Sequence, residues 1–350
     1  MTQEIIEKIK NFININDFLS AERLLKNLKN EHNPLILYYK GYVGYKLGKT
    51  KEAIECLEKI KTEIPEVSFL MANILEDLSK EINAIECLKK AVALQPTYWQ
   101  AYFNLGRIYI KTRQFKKAEE SFKKVLNINP NNSNAYFYLG ILYAEKDVIK
   151  AKKQYEKALS IDPQHEKSHS ELGEILLCTG CLKNGWKEYI WKFNYLEKVY
   201  PKNIKKIPIW DGKNVEKHTF IIFREQGIGD EILYASCYKD IISRAKKCFF
   251  ICDDRLVNLF KNSFPEANFI GEKMFSKNTD LSQINPTVRL QAPMIPRFYR
   301  KNFSDFPKQK KYLMVEKIKE EKWKKKLFKY NKNLKIGLAW GSSSELFNQN

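Results

Sequence analysis

The chain has 350 residues, 44% of them hydrophobic, and carries 61 Lys and Arg against 41 Asp and Glu for a formal net charge of +20; this length allows two or three cores rather than one. The basic excess is lysine scattered along the whole chain among Asn and Ile, without the concentrated basic face and arginine or aromatic readout of nucleic-acid binders, so no nucleic-acid partner is expected. The start, Met1 to Lys10, has no long apolar run, and nothing later approaches the ~20 apolar residues of a bilayer span, so a cytoplasmic protein without integral membrane contact is expected.

The first half is periodic. Small residues at Ala21, Ala53, Ala84, Ala118 and Ala151, and prolines at Pro34, Pro65, Pro96, Pro130 and Pro163, recur every 31–34 residues. The stretch from Trp99 to Pro130 puts Tyr102, Leu105, Gly106 and Tyr109 on one face of a first helix and Ala118, Phe122 and Val125 on one face of a second. The next stretch repeats the pattern with Tyr136, Leu139, Gly140, Tyr143, Ala151, Tyr155 and Ala158. Glycine facing alanine lets two backbones approach, and each proline is read as ending a second helix. Cys56 and Cys87 recur at one position of the pattern and read as small core residues in a reducing compartment. The isolated Cys178-x-x-Cys181 has no second pair and no nearby His at ligand spacing, so packing at a helix end is preferred over zinc or redox chemistry and no metal is expected.

This pattern resembles the tetratricopeptide repeat, and five helix pairs plus a degenerate sixth are expected over residues 1–195 as an all-α superhelix. In that family the groove lined by first helices binds extended peptides. The resemblance implies a protein or peptide partner held by Phe103, Arg107, Phe137 and Ile141. The aromatics read equally as packing residues, the preferred reading for Tyr102 and Tyr136, so Phe103 and Phe137 are expected to be more exposed than Tyr102 and Tyr136. Relatives that glycosylate proteins grip peptide backbone with repeated asparagines ahead of the Leu-Gly pair; here Asn104 sits there, but Tyr138 takes the place in the next repeat.

From Gly185 to Phe193 the pattern turns into an aromatic helix, and residues 196–217, with Pro201, Pro208 and Trp210-Asp-Gly212, read as a connector. Then Thr219–Phe223 is a β-rich run, Asp230–Lys246 has helical spacing, Cys248–Cys252 is a second apolar run and Arg255–Phe264 a second helix. That order predicts a parallel sheet with right-handed crossovers. A dinucleotide fold is disfavoured: Ile232 stands where a third small residue is needed, and Asp230 would set a carboxylate against a pyrophosphate at the helix start.

Arg224-Glu-Gln-Gly-Ile-Gly-Asp230, with the aromatic helix, Trp210-Asp-Gly212, Tyr312-Leu313, a helix around Trp323 and the strand-turn Lys335 to Ser343, resembles tetratricopeptide proteins that carry a heptosyltransferase-like glycosyltransferase domain of the GT-B fold. The resemblance implies a Rossmann-like acceptor domain over 218–333 and the first strand and turn of a donor domain over 334–350. It implies a nucleotide-sugar donor as substrate, no cofactor and no metal. Asp230 would be the catalytic base, Glu225, Gln226, Gly227 and Gly229 would hold the acceptor, and Gly341, Ser342 and Ser343 would meet the donor phosphates. Taken by itself, Asp230 is equally a helix N-cap. The lysine-rich run Lys308–Lys332 is read as a solvated helix rather than a membrane contact. A complete donor domain needs on the order of 100 further residues, so the sequence reads as truncated, and a tetratricopeptide glycosyltransferase or its N-terminal portion is expected. The alternative is a non-enzymatic adaptor that binds proteins through its repeats.

Overall fold

The computed structural model describes residues 2–28, 33–194, 200–224, 227–275, 281–308 and 311–328. Glu225, Gln226, Gly341, Ser342, Ser343 and the strand-turn Lys335 to Ser343 lie outside the described residues. The chain divides into two compact units, Met1–Ile175 and Leu176–Asn350.

The first unit is built from antiparallel helix pairs: α1 (Thr2–Asn14) with α2 (Phe18–Lys26), α3 (Pro34–Lys46) with α4 (Thr50–Glu58), and α5 (Pro65–Asp77) with α6 (Glu81–Leu94). They continue as α7 (Trp99–Lys111) with α8 (Phe115–Ile128) and α9 (Ser133–Ala144) with α10 (Val148–Ile161), before α11 (Glu166–Cys178). Each second helix also packs on the first helix of the next pair, so the pairs stack into one superhelix whose apolar faces cover one another.

All five alanines of the ladder are fully buried. The prolines divide into two sets. Pro96, Pro130 and Pro163 stand two residues beyond the ends of α6, α8 and α10, as expected, but Pro34 and Pro65 are the first residues of α3 and α5. There the absent N–H costs nothing, because first-turn amides have no partner within the helix, and the fixed φ suits the turn. At α3 the preceding Asn33 accepts from the amides of Leu35 at 2.9 Å and Ile36 at 3.3 Å.

The glycines differ from expectation in what they face. The space above Gly106 holds the ring of Phe122, and that above Gly140 the ring of Tyr155, both from the second helix of the pair. The close approach is therefore an aromatic ring seated on a glycine rather than a glycine facing an alanine.

The second unit contains a parallel sheet of β1 (Thr219–Phe223), β2 (Lys247–Cys252), β3 (Asn268–Gly271) and β4 (Val288–Gln291) in the order β3-β2-β1-β4. Its side chains alternate between two apolar layers. Phe220, Ile222, Cys248, Phe250 and Phe269 face one layer with Tyr238 and Phe260, whereas Ile221, Phe223, Phe249 and Ile251 face the other with Ile204 and Ile207.

Covered on both sides, the strands read as continuous apolar runs, and for that reason β1 and β2 were legible at 219–223 and 248–252. The predicted helix after β1 is broken into Ile228–Ala235 and Tyr238–Ile242, and the second helix is Val257–Ser263. Around Trp323 runs the helix Lys317–Phe328, whose Trp323 is exposed and whose Lys324 pairs with Glu320 at 2.8 Å.

The division between units falls before the aromatic helix instead of near residue 195. Trp186, Tyr189 and Phe193, on α12 (Leu182–Tyr189) and the short 3-10 turn after it, belong to the same core as Phe220 and Phe250. The Trp186 indole donates to the Arg300 carbonyl at 2.9 Å. Large aromatic rings on a lone amphipathic helix need cover, and within this unit the sheet's helical layer supplies it.

The segment read as a connector is also structural. Trp210 is buried against Phe298, with ring centroids 4.4 Å apart. Residues 208–210 run along the outer edge of β4, where Arg289 donates its amide to the Pro208 carbonyl at 2.9 Å and accepts from the Trp210 amide at 3.1 Å. That contact closes part of an edge that would otherwise stay open.

Candidate functional site

Two places gather residues able to do chemistry or recognition. The first is the C-terminal edge of the sheet, where parallel α/β sheets bind ligands. Chain order reverses there between β1 and β4, which pair with Phe223 opposite Gln291. Arg224 follows β1, and its Nε lies 2.7 Å from the Glu231 carboxylate. Its Nη1 reaches Glu272 after β3 and, at 3.5 Å, Asp253 after β2. Glu231 also accepts the Asp253 amide at 3.0 Å. Asp253 in turn is gripped by Arg255 at 2.8 Å, and this hydrogen bonding holds its carboxyl well below the usual carboxylate range.

Glu231 has no exposed surface, and burial raises its carboxyl pKa to about 7 despite the Asp253 amide and Arg224. It ties the β1 turn to the end of β2. Sequence reasoning passed over it because an acidic residue in the first turn of a helix ordinarily complements the dipole from solvent; the available signal was Arg224 seven positions earlier in the same turn.

Asp230 and Gly229, one and two positions before Glu231, are exposed. The helix begins at Ile228 with Gly227 at the cap position and no side-chain cap bond, so Asp230 stands in the first turn and is not the N-cap. Its carboxylate folds back over Gly227, where a Cβ would stand 2.9 Å from Oδ2, whereas a Cβ on Gly229 would meet nothing. A Cβ at Gly227 would displace only the end of this exposed side chain, so neither glycine is required sterically.

The second place is the face made by first helices of successive pairs. Asn104 of α7 donates to Asn73 of α5 at 2.8 Å, and Arg107 of α7 pairs with Glu76 of α5 at 3.0 Å. The four residues form a polar seam between neighbouring repeats.

The expected groove residues divide. Arg107 lies on the seam, and Ile141 is half-buried. Phe137 is only 5% exposed while Tyr136 is half-buried, the reverse of the expected order. The Phe137 ring packs on Tyr138, Tyr155 and His165, with centroids 5.3–6.0 Å away. Phe103 is half-buried and meets Phe122 and Tyr138 edge-on at 5.6 and 5.5 Å. Both phenylalanines therefore pack between helices, because the ring-on-glycine arrangement draws aromatics from neighbouring helices into one cluster.

Cys178 and Cys181 are exposed free thiols. Among the described residues no helix is long and apolar enough to cross a membrane.

Comparison with known proteins agrees with the repeat geometry. Family models for the tetratricopeptide repeat match residues 65–98, 99–132 and 121–152. Protein FlbA of Caulobacter vibrioides is 24% identical over 180 residues, 48% of this chain and 30% of that protein. The chain thus spans less than a third of that curated relative's length. The solved structure of pilF from Pseudomonas aeruginosa superposes with a TM-score of 0.50 at 17% identity, over 57% of this chain and 92% of that one. MamA from Desulfovibrio magneticus RS-1 gives a TM-score of 0.42 at 23% identity, over 47% of this chain and 96% of that one. Residues 65–152 are tetratricopeptide repeats, and the likeness to pilF is one of fold.

Proposed function

We propose that the repeat array holds an extended segment of a protein partner along the face made by its first helices. The seam of Asn73, Glu76, Asn104 and Arg107 supports this reading. A carboxamide offers two N–H donors and a carbonyl acceptor, so after the single bond between them the two asparagines keep groups able to pair with peptide backbone independently of sequence. Arg107 and Glu76 flank them with charge of both signs. The test is selection from a random peptide library on the whole chain. Selected peptides should bind about tenfold or more weakly to Asn73→Ala/Asn104→Ala. Equal affinity for both proteins would remove the seam from recognition.

A second reading has the α/β unit as the acceptor side of a sugar transferase. It is favoured by one observation, the exposed Asp230 beside the C-terminal edge of a parallel sheet. In this reading the acceptor oxygen bonds to the anomeric carbon of a nucleotide-sugar as the bond from that carbon to the diphosphate oxygen breaks. Asp230 takes the hydroxyl proton. Gly227 and Gly229, with Glu225 and Gln226, would border the acceptor, and Gly341, Ser342 and Ser343 would meet the departing diphosphate. In any preparation that transfers sugar, Asp230→Asn should abolish most turnover while changing stability by less than about 1 kcal/mol, since no cap bond is lost. Unchanged turnover would end this reading and leave the first intact.

A further inference from the structure

Beside β4 lies a cavity of about 200 Å³, lined among others by Ile190, Phe193, Ile209, Arg289, Gln291 and Arg297. Its polar groups are held by packing. Arg289 is buried, its Nε donating to the Ile207 carbonyl at 2.8 Å and its guanidinium stacking over the Tyr200 ring at 5.6 Å. Gln291 is 5% exposed; its amide nitrogen donates to the Tyr200 hydroxyl, while its carbonyl oxygen is buried without a hydrogen-bond partner. Arg297 rests its guanidinium over the Phe298 ring at 5.6 Å and has no carboxylate partner among the described residues.

A buried acceptor without a donor is costly, and a guanidinium at a cavity wall attracts an oxyanion. Ile190 and Phe193 offer apolar surface to the body of a ligand. Pockets for drug-sized molecules run from roughly 300 to 1,000 Å³, so this smaller space suits one ring with one charged substituent.

We propose that this cavity binds a small hydroxylated organic anion of about one sugar ring. Its carboxylate or phosphate pairs with Arg297, its hydroxyl donates to the unpartnered Gln291 carbonyl while the amide nitrogen keeps its bond to Tyr200, and its carbon face lies on Phe193. The site depends on neither functional reading above, because binding here requires no transfer and no protein partner.

Calorimetric titration of the whole chain with glucuronate, glucose 6-phosphate and neutral glucose tests the proposal and separates the two kinds of anion. At least one anion should bind about tenfold or more tightly than glucose, and Arg297→Gln and Gln291→Leu should each weaken it about tenfold. Arg297 is half-buried, so its variant should keep the parental near-ultraviolet circular dichroism and thereby exclude misfolding as the cause. The proposal is overturned if neither anion binds, if glucose binds equally well, or if the folded Arg297→Gln protein binds the anion as the parent does.

Discussion

The ring of Phe122 fills the space above Gly106, so that a Cβ on Gly106 would stand 2.6 Å from it. Phe122 has no exposed surface, and its ring stacks on Tyr138 at 5.1 Å. It has little room to withdraw. Gly106→Ala gains about 1 kcal/mol of helix propensity, but overpacking a filled core costs about 1–3 kcal/mol; a net loss of about 1 kcal/mol is expected. Gly44→Ala should do the opposite, because its Cβ would meet Ala53 at an ordinary 3.7 Å and only the propensity gain of about 0.5–1 kcal/mol remains. Denaturant midpoints of the two variants should move in opposite directions.

Glu231 makes the second unit sensitive to pH. Its carboxyl pKa is raised from 4.5 to about 7 in the folded protein, so between these values the folded state keeps a proton that the unfolded state has released. The stability this confers is present in full below pH 4.5 and is lost as pH rises through about 7. Glu231→Gln retains an acceptor for the Asp253 amide and removes the titration. Stability measured across this window should therefore slope less in the variant. An unchanged slope would show that another group carries the dependence.

Trp186 belongs by packing to the second unit. Removing it by Trp186→Ala should cost about 3–5 kcal/mol and leave the Arg300 carbonyl without its indole donor. Amide exchange should accelerate in β1, β2 and the helix Ile295–Tyr299 and stay unchanged in α5 to α10. Equal loss of protection in those repeats would contradict the division at residue 175.

The repeats were legible because period and residue size act together: a buried alanine every 31–34 residues leaves little choice of architecture. Which aromatic faces out was not legible, since Tyr136 and Phe137 are adjacent and the Tyr155 ring, coming from the paired helix, decides which is covered. β1 and β2 showed as apolar runs. β4 did not, because Val288-Arg289-Leu290-Gln291 alternates like a strand with one wet face, yet at this sheet edge Arg289 and Gln291 are buried against Ile207 and Tyr200, which accept from their side chains. The same edge hid the cavity, whose walls come from residues about 100 positions apart. Gly227 and Asp230 were found from the turn sequence, but the sequence could not say that the glycine occupies the cap position and that the aspartate lies over it.

The claim that the first helices hold an extended polypeptide is tested most directly by a hydrogen-exchange footprint with a peptide selected from a random library. Bound peptide should slow exchange in α5 (Pro65–Asp77) and α7 (Trp99–Lys111) around Asn73 and Asn104, with little change in α6 and α8, and Asn73→Ala/Asn104→Ala should erase that protection. Protection on α6 and α8 instead, or an identical footprint in the double variant, would contradict the account.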